Sequence, residues 1–257
     1  MKNIYVTLLP IIIITIIFSN LGCKNQSNNP LSPSNFTGSG QDYLPVIANK
    51  QLSIKVTASS TQYDSLGRVT DMQQIAGQTF KGYFGSMTFF KNMNATPVFG
   101  FDNNDNSHII GYYSNNNGNI LGTNNDPSGT IVTLLPNELK INDEWVANPQ
   151  SPANQQIKIK LKEALDNYTN SAGNSYSNVI NLSITLNYTD STNNHINGYY
   201  YSYTKQAANI NLYLAKGIGI IGSTLNLEEI FKYNEVYNGN SYSSYSRIEL
   251  NGTAGVL

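Results

Sequence analysis

The chain has 257 residues, a net charge of −1 and charged side chains at only 12% of positions, where ordinary soluble domains carry about a quarter. That balance excludes an electrostatic nucleic-acid binder, and a single cysteine excludes a disulfide framework. Asn, Ser, Thr and 18 Tyr supply the polarity; Tyr and Thr favour strands and Asn and Gly favour turns, so composition predicts an all-β exported domain.

Met1-Lys2-Asn3 carries one positive charge. Ile4 to Phe18 is then almost wholly apolar, broken by Thr7, Pro10 and Thr15, and Ser19-Asn20-Leu21-Gly22-Cys23 follows. A basic start, an apolar core and a small residue before a cut site is signal-peptide architecture, here over residues 1–22. A spanning helix needs about 20 apolar residues. This run is shorter, and Pro10 removes a helical hydrogen bond. Leu21-Gly22-Cys23 resembles a bacterial lipobox, which implies lipidation of Cys23 on sulfur; Asn20 departs from its usual aliphatic residue. The alternative is an uncleaved N-terminal anchor with Cys23 an ordinary thiol. A lone cysteine is unusual in an exported protein, because exported cysteines usually pair. Lipidation would consume it and tie the protein to a membrane through acyl chains, each CH₂ contributing about 0.8 kcal/mol. Lys24 replaces the aspartate that retains many lipoproteins at the inner membrane, which by analogy favours the outer membrane.

Residues 23–42 are rich in Asn, Ser, Pro and Gly and poor in aliphatics. Such a stretch cannot bury enough surface to offset its ordering entropy, so it reads as a flexible tether. Residues 43–257 form the β domain. Leu52–Thr57 alternates as LSIKVT, the period of a half-buried strand. Tyr63–Thr70 (YDSLGRVT) looks like one unit of a YD repeat, but a single copy reads better as a hairpin turn. Strands are predicted at Gln78–Phe84, Met87–Lys91, Pro97–Phe101, Ile109–Ser114, Asn119–Leu121 and Thr130–Leu135. Turns are predicted at Asp102–Ser107, Asn115–Gly118 and Asn124–Gly129. Gln156–Ala164, Val179–Tyr188, Gly198–Thr204, Asn209–Ala215, Ile218–Leu225, Ile230–Tyr237 and Ser246–Thr253 follow as strands. Leu227–Tyr233 (LEEIFKY) also fits a helix, but the close flanking turns favour strand. No helix separates the strands, which excludes a βαβ fold. The expected fold is all-β: one antiparallel domain with a curved sheet, as a half-barrel or sandwich. Leu134-Leu135-Pro136 weakly echoes Tyr43-Leu44-Pro45 and suggests two related halves.

Three stretches carry a resemblance. They are Tyr43-Leu44-Pro45-Val46, then Leu135-Pro136 with Ile141-Asn142-Asp143-Glu144-Trp145, then Leu212 to Ile221 (LYLAKGIGII). Together they resemble a loose group of uncharacterised Bacteroidetes-type lipoproteins. That group has Tyr-Phe-Pro-Leu, Gly-Asn-x-Trp, a second Pro-Leu with Gly-Asp-x-Trp, and Ala-Lys-Gly-Val-Gly-Leu-Val. Here Asn49-Lys50-Gln51-Leu52 stands in place of the first Gly-Asn-x-Trp, and Asn142 replaces the second Gly. The resemblance implies a fold and a location, not a chemistry.

No chemical constellation stands out. Gly217 and Gly219 read as structural glycines, since no βαβ unit follows to make a dinucleotide site. His108 and His195 flank Asn/Asp-rich turns and lack metal-ligand spacing. Asp102–Asn106 starts like a calcium loop, then Ser107 and Tyr113 stand where Gly and Glu belong. There is no Gly-x-Ser-x-Gly elbow. Glu138, Glu144, Glu163 and Asp166 show no spacing that selects a glycosidase pair. The expectation is therefore a non-enzyme without metal or cofactor, bound to a membrane through Cys23. Its role would be binding or structural support in the envelope. Alternatives are a carrier of lipid or another apolar ligand in a curved half-barrel, and a carbohydrate-binding module. Tyr199, Tyr201 and Tyr203 share one strand face and, with Trp145, form the candidate ligand face; the other reading is cross-strand pairing that stabilises the sheet.

Overall fold

The computed structural model describes residues 36–257 except 46, 48–49, 102–105, 195–198 and 238–239. The signal segment, Cys23, His195 and most of the 102–107 turn lie outside the described residues. One short helix, α1 (Gly40–Tyr43), precedes thirteen strands: β1 (Gln51–Tyr63), β2 (Val69–Phe84), β3 (Thr88–Phe90), β4 (Met93–Phe101), β5 (Ser107–Asn116), β6 (Asn119–Asn124), β7 (Val132–Leu135), β8 (Glu144–Val146), β9 (Ile157–Thr169), β10 (Ser175–Asn194), β11 (Tyr199–Ala215), β12 (Gly219–Tyr237) and β13 (Asn240–Val256).

All strands belong to one antiparallel sheet, in the order β7-β6-β5-β4-β2-β1-β13-β12-β11-β10-β9-β8, with β3 beside β4. The sheet curls into a nearly closed barrel. The first and second halves of the chain meet at two seams. One is the long β1/β13 ladder, running from Ile54↔Val256 to Tyr63↔Arg247. The other brings the end strands β7 and β8 together, where the Thr133 N–H donates to the Ala147 carbonyl at 2.9 Å. Trp145 stitches the same seam: its indole N–H donates to the Thr133 carbonyl at 3.1 Å.

Alternation sends one face of each strand inward. Ile54, Val56 and Ala58 of β1, Leu182 and Leu186 of β10, Ala208 and Leu214 of β11 and Ala254 of β13 meet in one core. Leu161 and Ile180 are fully buried within it. Outside the barrel wall, the β9–β10 hairpin curls over its neighbours. Tyr168 stacks on Tyr213 at 4.0 Å, above a small cluster of Leu165, Val179, Ala215 and Ile221. Gly255 permits this approach, since a Cβ there would lie 2.6 Å from the Ala172 nitrogen. Buried Asn170 ties the hairpin down. Its amide donates to the carbonyls of Ile221 (2.8 Å) and Val256 (2.9 Å), and its side-chain oxygen accepts from Ala172 and Asn174 at 3.0 Å each.

The long strands outrun the core. None of the described residues in 59–63, 69–74, 189–193, 200–207, 228–236 and 240–249 is buried. Six strands, in the order β2-β1-β13-β12-β11-β10, therefore continue past the barrel as a single-layer blade with both faces in solvent. At a rise of about 3.3 Å per residue, the β12 part of the blade extends about 30 Å.

One expectation is corrected. The separate strands expected over residues 198–204 and 209–215 are one strand, Tyr199–Ala215, and those expected over residues 218–225 and 230–237 are one strand, Gly219–Tyr237. The apparent breaks at Lys205-Gln206 and Glu228-Glu229 fall where strands leave the core and polar residues suit both faces. Of the residues read as the end of the tether, Gly38 bridges Leu139, and Gly40 N–H donates to the Pro136 carbonyl at 3.0 Å.

Trp145→Phe keeps an aromatic ring but removes the seam bond and part of the side chain packed on the core, so urea denaturation should show a loss of about 1 kcal/mol or more. Asn170→Ala strands buried carbonyls and should cost about 1–3 kcal/mol. Leu66, 74% exposed at the blade tip, should tolerate alanine within about 0.5 kcal/mol.

Candidate functional site

The three stretches that carry the sequence motifs converge at the base of the barrel. Leu44 and Leu135 are buried and line one apolar void with Ile159, Leu214 and Ile220. Gly217 N–H donates to the Asp42 carbonyl at 2.7 Å, and Lys216 pairs with Asp42 at 3.5 Å. Gly217 and Gly219 have φ of 74° and 100°, which glycine adopts without steric cost. Asn142 also has a left-handed φ, 73°, a conformation Asn tolerates better than most residues. These motifs build a plug. The void measures about 40 Å³, whereas ligand pockets run to about 300–1,000 Å³.

The candidate catalytic residues do not converge among the described residues. His108 is exposed on β5, and Glu138 pairs with Lys140 at 3.7 Å on the surface. Glu144 is exposed on β8; Glu163 accepts from buried Asn181 at 2.7 Å; Asp166 is exposed on β9. No group of three His, Cys, Asp or Glu fit to hold a metal occurs among the described residues.

The blade is the feature without an evident partner inside the fold. Its faces follow from register, because directly paired residues point the same way. Tyr201 and Tyr203 occupy the outer face, together with Lys205, Ile230, Lys232, Tyr245, Arg247, Tyr63, Glu228 and Glu249; Tyr199, the first residue of β11, pairs with Val236. Trp145 pairs with buried Ile159 on the inward face of the barrel, so the structure does not bring it to those tyrosines. The outer face is cross-linked by its own charges. Lys232 lies over the Tyr203 ring (5.6 Å to the centroid) and the Tyr245 ring (6.0 Å), and Arg247 lies over Tyr63 at 5.1 Å. Arg247 also bridges Glu228 (3.0 Å) and Glu249 (2.5 Å), while Lys205 reaches Glu228 at 3.2 Å. Glu228 and Glu249 face each other across the ladder, an arrangement that repels unless cations intervene. These pairs stabilise a sheet that has no core beneath it.

The inner face continues the barrel interior. It carries Tyr188 and Asp190 on β10, Tyr200 and Gln206 on β11, Glu229, Phe231, Tyr233 and Glu235 on β12, Tyr242 and Ile248 on β13, and Asp71 on β2. Glu229 accepts from Gln206 at 3.0 Å. Glu235 sits directly between Tyr200 and Tyr242 in register and accepts the Tyr233 hydroxyl. Tyr200 meets Tyr233 edge to face at 5.5 Å. The periodicity of GYYYSYT drew notice to Tyr199, Tyr201 and Tyr203; Tyr200 belongs to the other face, and only pairing with β12 and β13 reveals its neighbours.

At the tip, Asp64 closes the β1–β2 turn. It accepts from the Arg68 and Leu66 N–H groups at 2.9 Å each and pairs with the Arg68 guanidinium at 2.7 Å. The Arg68 backbone bond chiefly holds its carboxyl below the usual 3.8. The sheet's open edges, beside the barrel on β2 and on the blade on β10, carry devices against strand pairing. On β2 a bulge at Gly77 (φ 66°) breaks the register opposite β1. On β10, Asn154 caps the Thr189 carbonyl at 2.8 Å.

Compared with known protein families, curated proteins and solved structures, the chain gives no match.

The Glu235 hydrogen bond is the main cause that pushes the Tyr233 hydroxyl up to about 12. Ultraviolet titration should show Tyr233 among the tyrosines that ionise well above 10, and Glu235→Gln should move one of them back down toward 10 in the difference from the parent protein. A tyrosine that holds its proton more tightly when folded adds stability below pH 10, lost as pH rises through about 12; the Glu235→Gln protein should show a smaller alkaline decline than the parent.

Proposed function

We propose that the chain is an exported envelope protein, anchored by lipid on Cys23, which presents the blade as a docking surface and carries no catalytic site. The observation that carries this reading is the single-layer sheet extending beyond the core with both faces in solvent. A six-stranded layer of this kind adds ordering cost without burying a core, so its use lies in the surface it displays. The base plug, with Phe36 leading into it beside Tyr43, lies at the end opposite the hairpin tips of the blade. A lipid attached upstream would hold the base toward the membrane and the blade away from it.

Two other readings have less support. A carrier of lipid needs a cavity, and the apolar void is about 40 Å³. A carbohydrate module needs open ring faces, while Lys232 and Arg247 lie over Tyr203, Tyr245 and Tyr63.

Fractionation with palmitate labelling tests the anchor. The unmodified protein should label and sediment with membranes, and Cys23→Ser should do neither. A Cys23→Ser protein that still sediments would mean the apolar run is the anchor. A photo-crosslinker placed at Ser202 on the blade, compared with one at exposed Lys158 on the barrel, tests the surface. Adducts from the barrel position alone would remove the docking reading.

A further inference from the structure

The two faces of the blade differ in charge. The outer face holds Lys205, Lys232 and Arg247 against Glu228 and Glu249. The inner face holds Asp71, Asp190, Glu229 and Glu235, and among its described residues no lysine, arginine or histidine. Both faces repeat one arrangement: a charged β12 residue set in register between a β11 and a β13 tyrosine. Outside, the centre is Lys232 between Tyr203 and Tyr245, and the protein's own cation rests on both rings. Inside, the centre is Glu235 between Tyr200 and Tyr242, with Tyr233 donating to its carboxylate. Electron-rich ring faces attract a cation, and a carboxylate among them adds charge of the right sign. On the inner face this set has no cation of its own among the described residues.

We propose that Tyr200, Tyr233, Tyr242 and Glu235 seat a basic side chain, and that the occupant is an extended lysine- or arginine-rich segment of a partner polypeptide laid along the inner face. The inference rests on the blade being a docking surface. A lone ammonium ion would use Glu235 only. The further carboxylates lie spaced out on the same face, Glu229 six residues before Glu235 on β12, Asp190 two strands away on β10 and Asp71 three strands away on β2, a spread that suits a chain carrying several positive charges. An anionic membrane surface would be repelled by it. Tyr242, 57% exposed, stands at the open end of the seat, ready to close over an alkyl stem.

The test uses the full chain in neutral detergent, titrated with hexalysine, with hexaglutamate and with tetramethylammonium, by calorimetry. Hexalysine should bind and hexaglutamate should not. Glu235→Gln should weaken hexalysine about tenfold or more, the size of a charge-assisted contact, and Tyr242→Ala about two- to fivefold, the size of an exposed cation–ring contact. Tyr201→Ala, on the outer face, should leave it unchanged. Both inner-face positions are solvent-exposed or half-buried, and circular dichroism confirms that each variant is folded. Equal hexalysine binding by Glu235→Gln and Tyr242→Ala would overturn the proposal. So would equal weakening by Tyr201→Ala, or tetramethylammonium binding as tightly as hexalysine. Crosslinks from Ser202 together with hexalysine binding indifferent to these variants would leave the docking surface standing and remove only the cation seat.

Discussion

The β7–β8 seam is the contact on which the barrel depends. Without it the chain is a long antiparallel meander with two free edges. β7 and β8 are only four and three residues long, so few backbone bonds can join them. The Thr133–Ala147 bond and the Trp145 indole bond to Thr133 do that work at one place. The loop between the strands is fixed as well: Asn142 donates to Leu161 at 2.8 Å, and Leu161 donates back to Asp143 at 2.9 Å. Closing the seam brings Leu135 and Leu139 into the core beside Ile159 and Leu161. Apolar burial is the dominant favourable term, and here it accrues only once the edges meet.

Closure also defines where the core stops. The barrel is as deep as its short strands, while β10 to β13 have 17 to 20 residues. The surplus length cannot be packed and becomes the blade. Its stability must then come from cross-strand pairs, each contributing only about 0.2–1 kcal/mol. That accounts for the density of rings and charges there: Tyr203, Lys232 and Tyr245 in one row, and Tyr63, Arg247 and Glu249 beside it. Long amphipathic side chains cover one another where no second layer does.

The same row pattern produces the functional proposal. A structural device on the outer face, a cation held between two rings, has a counterpart on the inner face with a carboxylate at its centre. The difference arises from a shift of three residues along β12, from Lys232 to Glu235, which moves the side chain to the opposite face.

Much of this was legible in the chain. Alternation in LSIKVT and QIKIKLKEA identified β1 and β9, and Asn-Gly at 117–118 marked the β5–β6 turn, where both residues have positive φ. The left-handed conformations of Gly217 and Gly219 agree with their structural reading. The candidate face was half legible: alternation alone puts Tyr199, Tyr201 and Tyr203 together and leaves Tyr200 unremarked. The sequence by itself determined the all-β class, the polar, charge-poor surface and the alternating sides of each strand, because those follow from local propensity and a period of two. Only the tertiary structure decided that the sheet closes at β7 and β8, that β11 and β12 run unbroken past the core, and that Glu235 stands between Tyr200 and Tyr242. Each depends on register between strands far apart in sequence, and a one-residue slip in any ladder would redistribute every side chain between the two faces.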